Sequence, residues 1–362
     1  MAQSFAPFYR GKRVLVTGHT GFTGGWLVAW LKLLGAKVCG YGLPPSSRPN
    51  FFDATLLDRG ITSVFADLRD RDTLGNTLAD FQPEIIFHAA AWQELGGSSN
   101  DPMEVFGVNV VGALNLLEEA RLTGCARAIV LLSDLSIATH IFDQKDSEAT
   151  SAWLPATHDV AQGAASAFAA SWFRDSRTRV ATARLPSLIG GGDWAEARLV
   201  PALLRSLTSS SPILIRDCSV VSDFSHVLEA SRASLHLAEN LYASGPAAAG
   251  AWDFCPPDTE SISQTALVQR IVECWGVRKV EIGLHSTPIT PPNHFLIPTP
   301  AKQYPGWTPA LTLDEAIAWT VDWCKAHLSD PSSAWRTTEA QIEQYAKLPV
   351  RQSVIPAGQP EF

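Results

Sequence analysis

The sequence predicts an α/β fold: a doubly wound parallel sheet with a smaller C-terminal α/β lid. Short apolar runs alternate with longer helical patterns through the first half of the chain, which is typical of repeated βαβ units. A glycine-rich turn follows the first of these runs. From about residue 187 proline and tryptophan become more frequent, and a segment such as TPITPPNHFLIPTP suits neither a regular helix nor a central strand.

Six strands and the helices between them are predicted in the first half. The strands are apolar runs at 12–17, 37–41, 62–66, 84–89, 126–132 and 179–185. Helices are predicted over 22–34, around VNVVGALNLLEEAR, and over THDVAQGAASAFAASWF at 157–173. We therefore expect a sheet domain over 1–186, a lid over 187–330 whose chain partly crosses back, and a C-terminal helix and tail over 331–362.

The composition argues against several classes of function. The net charge of −8 disfavours a nucleic-acid partner, because phosphate neutralisation requires clustered Lys and Arg. The six cysteines are scattered without a CxxC pair or a metal-ligand spacing, so we expect reduced thiols, no metal site and a cytoplasmic protein. The longest apolar patch, GWLVAWLKLLGA, is short and contains Lys32, and we expect no membrane partner. A small-molecule partner is favoured.

The turn after the first strand reads TGHTGFTGG, with Gly18, Gly21 and Gly24 spaced three apart. Glycines at such a turn let the backbone bend tightly, approach a pyrophosphate and point a helix N-terminus at negative charge. A glycine triplet alone is weak evidence. Its position between a strand and a helix at the start of a βαβ chain predicts a Rossmann-like, dinucleotide-binding domain.

The adenosine end of this site is less clearly marked. No acidic residue ends the second strand to hold a ribose; the residues after Tyr41 are GLPPSSRP. Arg48 in this loop either meets a 2′-phosphate or is solvated, and we prefer NAD to NADP. Asp67, in FADLRD, is placed either to meet the adenine edge or to cap a helix.

The series TGHTGFTGGWL, FADLRD, IIFHAAA and VNVVGALNLLEEAR resembles the extended short-chain dehydrogenase/reductases, the NAD-dependent epimerase/dehydratase family. Within them, IGGGDWAEARLVP, FSHVLEA and TTEAQIEQYAKL are similar to stretches of CDP-glucose 4,6-dehydratases. The likeness runs from about residue 11 to 345. It implies an NAD cofactor, a nucleotide-sugar substrate held by the lid, and a homodimer paired through helices. The cofactor contacts that it implies are Gly18, Thr20, Gly21, Phe22, Gly24, Asp67, Leu68, Ala89, Ala90 and Asn109.

The reaction of that family depends on a YxxxK pair. The 4-hydroxyl of the sugar is oxidised by NAD, water leaves across C5 and C6, and the hydride returns to C6. A Tyr takes the hydroxyl proton, and a Lys four residues later lowers the pKa of that Tyr. Aligning His158 and Asp159 on the family's lead-in to this pair puts Ala161 at the Tyr position and Ala165 at the Lys position.

A shift of register does not restore the pair. No tyrosine occurs at positions 42–241 and no lysine at 146–278. The family's Ser-Asp-Lys run after the fifth strand is here Ser133, Asp134 and Leu135, so its lysine is also replaced. We keep Ser133 and Asp134 as catalytic candidates; the alternatives are a small packing residue for Ser133 and a turn or capping residue for Asp134.

Other positions bear on catalysis and on the sugar. His88 is interpreted as a satisfied core histidine rather than a catalytic one, and His140 and His158 are possible substitute acid/base groups. Several further positions depart from the family: Trp92 replaces a Gln, GGSS at 96–99 replaces arginines, Ser187 replaces an Asn and Ser222 replaces an Arg. Arg184 either faces the site or pairs with an acid, and Trp194 either stacks on a base or fills the interdomain seam. The candidate substrate contacts are Arg184, Ser187, Trp194 and Arg198.

Two hypotheses follow. The chain is an enzyme that handles a nucleotide sugar with NAD, by ordinary dehydratase chemistry or with other acid/base groups. Alternatively, it is a catalytically silent relative that binds NAD and serves as a sensor or as the partner subunit of an active paralogue. The absence of the tyrosine and both lysines favours a cofactor-binding relative whose chemistry has changed or stopped.

Overall fold

The described residues contain thirteen strands, which are assembled into one large and two small sheets. The computed structural model describes residues 5–91, 102–134, 163–165, 167–173, 176–195, 198–209, 213–215, 221–255, 261–276, 282–284 and 302–349. The strands are β1 Arg13–Thr17, β2 Lys37–Gly42, β3 Thr62–Phe65, β4 Ile85–His88, β5 Ala128–Asp134, β6 Arg179–Leu185, β7 Ser187–Ile189, β8 Ile213–Ile215, β9 Val221–His226, β10 Gly250–Asp253, β11 Ser261–Ser263, β12 Ile282–Leu284 and β13 Lys302–Gln303.

Helices connect and cover these strands. They are α1 Ala6–Tyr9, α2 Phe22–Leu33, α3 Phe51–Ala54, α4 Arg71–Phe81, α5 Pro102–Phe106, α6 Ala113–Thr123, α7 at 163–165 and 167–172, α8 Leu199–Ser209, α9 Val227–Ser244, α10 Gln264–Trp275, α11 Leu313–Ser329 and α12 Ala334–Ala346. A π-helical segment, Gly107–Gly112, joins α5 to α6. Among the described residues no helix has the length and apolar character needed to cross a bilayer.

The large sheet confirms the predicted fold class. Its eight strands pair in the order β3-β2-β1-β4-β5-β6-β10-β13, and every pairing is parallel. The six strands predicted in the first half are all present, with bounds that differ by no more than two residues. The order 3-2-1-4-5-6 is that of a doubly wound dinucleotide-binding sheet. The chain then returns from the second half to add β10 and β13.

Both faces of the sheet are covered because successive strand residues point to opposite sides. Val14 and Val130 belong to one core, which contains residues of α2 and α9. Leu15 and Ile129 belong to a second core, with residues of α4, α6 and α7. The middle residues of these central strands are therefore apolar on both faces, as in parallel sheets buried on both sides.

The second half forms two small sheets, β7-β9-β11 and β8-β12. A third core lies beside them and includes residues of α8, α10 and α11. Aromatic side chains join this part to the large sheet: Phe51 stacks on Trp26 at 5.3 Å and on Trp323 at 6.2 Å between ring centroids. A Cβ atom at Gly191 would overlap the Trp323 side chain, so the glycine permits this close packing.

The amino edge of the sheet is occupied by structural contacts. Arg13 donates through Nε to the carbonyl of Gln82, just after α4, at 2.6 Å. Arg127 donates to the carbonyl of Tyr242 in α9 at 3.4 Å. Helix C-termini gather at this edge, and cations there satisfy their carbonyls and oppose their dipoles. The opposite, carboxyl edge remains for ligand binding.

Candidate dinucleotide site and catalytic cavity

The turn between β1 and α2 requires its glycines. Gly18 has a φ of +73°, and a Cβ atom there would lie 2.7 Å from Cα of Ala90. A Cβ atom at Gly24 would overlap the carbonyl oxygen of Gly18. Gly21 is the N-cap of α2 and supplies no side chain to its first turn. The N–H groups of that turn are therefore presented to an anion, and the cradle fits a pyrophosphate.

Other predicted cofactor residues surround this turn. Ala89 follows β4 and donates its N–H to the carbonyl of Thr17 at 3.1 Å, which places Ala89 and Ala90 beside β1. Phe22 is the first residue of α2. The hydroxyl of Thr20 donates to the carbonyl of Leu43 at 2.9 Å. Thr20 thus ties the turn to the loop after β2.

The predicted adenine edge contains Asp67. Its carboxylate accepts from Arg69 at 3.1 Å through Nε and at 2.8 Å through a terminal nitrogen. The Arg69 side chain holds the pKa of Asp67 below its usual value. Asp67 does not cap the following helix, because Asp70 is the N-cap of α4. Leu68 is buried nearby, and its carbonyl accepts from Asn115 at 3.1 Å.

A histidine that the sequence analysis did not assign lies under this edge. His19 is fully buried within the turn, and its ring packs against Phe52 and Phe65 at centroid distances of 5.3 and 5.8 Å. Burial lowers the pKa of His19 to about 4. The ring is therefore neutral near pH 7 and brings no charge to the dinucleotide site.

A cavity lies further along the carboxyl edge. It encloses about 40 Å³ and is lined by His88, Ala90, Ala91, Asn109, Ala113, Leu131, Leu132, Ser133, Ala165 and Thr182. Three predicted site residues, Ala90, Asn109 and Ser133, therefore share one space with Ala165, at the family's lysine position, and with His88. Asn109 belongs to the π-helical segment, an irregularity that often marks functional positions in helices and that the periodicity of the sequence does not predict.

His88 is held as a core histidine and also faces the cavity. Its Nδ1 lies 2.7 Å from the hydroxyl of Thr17, and both residues are buried. The hydrogen bond agrees with the interpretation of His88 as a satisfied residue. Because the ring lines the cavity as well, His88 is the titratable side chain that the described residues bring to it.

Ala165 forms part of the same cavity wall. It is 2 % exposed and packs in the core that contains Phe168 and Phe173. The described positions of α7 carry Gly, Ala, Phe, Ser and Trp, so this part of the helix has no ionisable side chain. Other predicted positions, Leu135, His140, His158, Asp159 and Ala161, lie outside the described residues, as does the side chain of Asp134, whose backbone ends β5.

Arg184 lies beside Ser133 but is paired with an acid. Ser133, Arg184 and Asp253 are in register on three neighbouring strands, so their side chains point to the same face of the sheet. The Nε of Arg184 lies 3.2 Å from a carboxylate oxygen of Asp253. Burial raises the pKa of Asp253, and Arg184 opposes that shift. The sequence did not reveal this pair, because β10 is distant in the chain.

The remaining predicted substrate residues have protein partners. Trp194 packs against Trp323 at 5.7 Å and His327 at 5.3 Å between centroids, so it fills the seam with α11. Arg198 pairs with Asp193 at 2.9 Å. Ser187 begins β7. These contacts favour the seam interpretation of Trp194 and leave the nucleotide-sugar role of the set as a prediction.

One polar cluster in the lid was missed by sequence reasoning. The carboxylate of Asp223 accepts from the hydroxyl of Ser261 at 2.5 Å and from the thiol of Cys255 at 3.2 Å. It forms because β9 and β11 pair antiparallel with Asp223 opposite Ser261. No spacing in the sequence indicates a pairing across 38 residues.

The sequence is similar to proteins of a known family. The NAD dependent epimerase/dehydratase family model matches residues 14–248. The chain is 33% identical over 336 residues to a CDP-glucose 4,6-dehydratase of Salmonella typhimurium, covering 88% of this chain and 92% of that protein. It is 42% identical over 118 residues to a UDP-glucose 4-epimerase of Mycolicibacterium smegmatis, covering 32% of this chain and 37% of that protein.

Solved structures show the same fold. A UDP-glucose 4-epimerase of Thermotoga maritima, with UDP-glucose, superposes with a TM-score of 0.68 at 21% identity, covering 87% of this chain and 99% of the other. A UDP-glucose 4-epimerase of Thermus thermophilus, in complex with NAD, gives a TM-score of 0.66 at 21% identity, with 86% and 99% covered. At this identity the likeness concerns the fold alone.

Proposed function

The chain belongs to the NAD-dependent epimerase/dehydratase family, and from that premise we propose that it binds NAD but has lost, or changed, the ordinary dehydratase reaction. One observation carries the proposal. The glycine turn has the form that a dinucleotide requires, whereas the wall of the neighbouring cavity is made by the methyl group of Ala165, 2 % exposed, where the family places a lysine.

The cofactor half is supported residue by residue. The backbone at Gly18, Gly21 and Gly24 would hold the pyrophosphate, Asp67 and Leu68 would meet the adenine, and the remaining predicted cofactor residues border the turn or the cavity. NAD, once bound there, supplies a hydride acceptor. We take NAD as the cofactor of this proposal, by similarity to the NAD-dependent family.

The side chains that would accept the proton of the hydroxyl are the part of the site that is proposed to be lost. Oxidation of a hydroxyl needs a group to take its proton, and removal of a positioned acid/base group costs about two to four orders of magnitude in rate. Ala165 supplies none, and the sequence puts Ala161 and Leu135 at the other two family positions. The protein would then act as a non-catalytic sensor or partner subunit.

A second candidate is an active enzyme with unusual acid/base groups. The observation that favours it is the position of His88 and Ser133 on the same cavity wall as Ala165. His88 is oriented by Thr17, as a proton-transfer group must be. In both candidates the ligand class is a nucleotide sugar, by similarity to the CDP-glucose 4,6-dehydratase relative, with Arg184, Ser187, Trp194 and Arg198 as the proposed contacts.

We also propose a cytoplasmic homodimer. Support comes from apolar side chains on neighbouring helices: Met103 on α5 is 72% exposed, Leu122 on α6 58% and Trp172 on α7 60%. Large apolar side chains exposed on neighbouring helices are favoured at interfaces. Sedimentation equilibrium of the full chain should give twice the monomer mass, and a monomer at micromolar concentration would contradict the pairing.

The proposed function is tested with the purified full chain. The protein is denatured and the supernatant assayed for released NAD(H); it is then loaded with NAD and incubated with CDP-glucose and other nucleotide hexoses, with detection of the 4-keto product. We expect bound cofactor and no 4-keto product. Turnover of CDP-glucose at an ordinary rate would refute a degenerate site.

A rescue variant separates a lost base from a lost sugar site. Ala161→Tyr with Ala165→Lys and Leu135→Lys should restore some oxidation of CDP-glucose. A matched control replaces Ala165→Lys with Ala170→Lys, which puts the lysine on the exposed side of the same helix and should restore nothing. A triple variant that binds NAD and remains inactive would show that the sugar site is absent too.

A further inference from the structure

We propose that the dinucleotide site does not read the 2′ position of the adenosine ribose, so that NADH, NADPH and the NADH analogue lacking the adenosine 2′-hydroxyl bind with similar affinity. This inference rests on the proposed function, because it assumes that the glycine turn binds a dinucleotide. It concerns how the turn's surroundings select among such ligands.

The fold determines which residue lies beside the 2′-hydroxyl of the adenosine ribose. In dinucleotide-binding sheets an acid near the end of the second strand bonds the 2′-hydroxyl. Here β2 ends at Gly42, directly beside the turn: the N–H of Gly18 donates to the carbonyl of Tyr41 at 2.8 Å. A Cβ atom on Gly42 would lie 3.3 Å from the Gly18 nitrogen. Gly42 is therefore the residue that borders the ribose.

This border offers no carboxylate to a hydroxyl. Residues 42–52 read GLPPSSRPNFF and contain no acid. Asp53 is the next one, and its carboxylate accepts from Asn50 at 2.8 Å. Both oxygens of Asp67, at the end of the next strand, accept from Arg69. Within residues 5–91, which are described throughout, the acids nearest to Gly42 are thus engaged by protein donors.

The exposed surface directly beside Gly42 is apolar. Gly42 is paired in register with Phe65 on β3, which is 51% exposed, and it is followed by Leu43, which is 48% exposed. The buried His19 beneath them is neutral near pH 7, because its pKa is lowered to about 4. These residues present no charge to repel or attract a 2′-phosphate. Arg48, which is exposed further along the same loop, is the cation that the binding test must address.

The size of the effect separates this site from an acid-anchored one. A hydrogen bond to a charged acceptor contributes enough that its loss weakens binding by about tenfold or more. An acid-anchored site should lose that factor for the 2′-deoxy analogue and more for NADPH. In this chain both ratios of dissociation constants, relative to NADH, should lie within about threefold.

The test is equilibrium binding by the full chain. NADH, NADPH and the 2′-deoxy analogue are titrated at one ionic strength, and binding is followed by reduced-nicotinamide fluorescence and by calorimetry. A tenfold or larger preference for NADH over the 2′-deoxy analogue would overturn the inference alone. Preferential binding of NADPH that disappears in Arg48→Ala would also overturn it, since Arg48 would then grip the 2′-phosphate. Failure of all three ligands to bind would refute the proposed function, and the inference with it.

A second experiment introduces selectivity against NADPH by mutation. Leu43→Asp adds a carboxylate next to Gly42 at a half-exposed position, without a Cβ atom against Gly18. It should strengthen NADH binding relative to the 2′-deoxy analogue, because the new carboxylate can accept from the 2′-hydroxyl, and it should weaken NADPH binding by about tenfold through charge repulsion. Leu43→Asn, which has the same shape without the charge, is the control and should keep the ratio near one. An unchanged NADPH to NADH ratio in Leu43→Asp would show that this border does not face the ribose and would overturn the inference.

Discussion

The glycine turn and the cavity beside α7 lie on the same edge of the sheet, yet they use the chain in different ways. At the turn, function depends on the backbone, and Gly18 and Gly24 are required by atoms that leave no room for a side chain. At the cavity, function depends on side chains, and Ala165 offers only a methyl group. Binding through the backbone and proton transfer through side chains are therefore separable, and the proposed function gives this chain the first without the family's version of the second.

The largest effect expected is on the turn. Gly24→Ala places a Cβ atom on the carbonyl oxygen of Gly18, so the turn must open, and NADH affinity should fall by about a hundredfold or more. Gly21→Ala is the comparison variant, because its Cβ atom would lie 3.4 Å from the same oxygen, an ordinary contact, so the turn keeps its shape and the affinity should fall by less than in Gly24→Ala. Fluorescence titration compares the two variants, and thermal unfolding checks that both are folded. Equal affinities would contradict the requirement for a glycine at position 24.

A smaller effect is expected below the cavity. Thr17→Val keeps the shape of the side chain and removes the hydroxyl that lies 2.7 Å from Nδ1 of the buried His88. Leaving that buried nitrogen without this partner should lower the free energy of unfolding by about 1 to 3 kcal/mol, measured by urea denaturation. Thr20→Val removes a hydroxyl that makes its hydrogen bond at the surface. This variant should lower the free energy of unfolding by less than half as much as Thr17→Val. A larger loss in Thr20→Val would contradict the difference in burial.

The pH dependence of the free energy of unfolding tests the burial of His19 under the turn. His19, under the turn, has a folded pKa of about 4, below the unfolded value of about 6.5. Between these values the unfolded state binds more protons, so stability rises with pH in this window and is lost as pH falls. The contribution of His19 approaches 1.4 kcal/mol per pH unit within the window.

His19→Asn should remove that slope. The free energy of unfolding is measured in urea at several values of pH between 4.5 and 6.5, where the variant should lose less stability on acidification than the wild type. His226, which is fully buried and has a pKa lowered to about 3 by burial, continues to contribute to the slope in both proteins. Identical slopes would mean that His19 is protonated in the folded state at these pH values.

The sequence predicted most of what depends on local pattern. Apolar runs located β1 to β6, and the glycine spacing located the turn, because strands and turns have short-range chemical signatures. The alignment on the family assigned Ala165 to the lysine position, but its burial beside Ser133 came only from the structure. The cavity that they share required the structure, since it depends on how α7 packs on the sheet.

Other features could not be read from sequence because they join distant segments. The Arg184–Asp253 pair depends on β10 returning to lie beside β6, 69 positions later in the chain. The engagement of Asp67 by Arg69 depends on side-chain rotamers that a motif does not specify. The burial of His19 follows from the absence of a side chain at Gly40, where a Cβ atom would overlap the imidazole, and no spacing rule indicates it.

The central claim is that the chain holds NAD without carrying out the family's first oxidation. The most direct measurement mixes the NAD-loaded full chain with CDP-glucose in a stopped-flow instrument and follows NADH absorbance through one turnover. An ordinary enzyme turns over at about 10 per second, and the account predicts NADH formation at least a hundredfold slower, or none. NADH formation at the ordinary rate would contradict it.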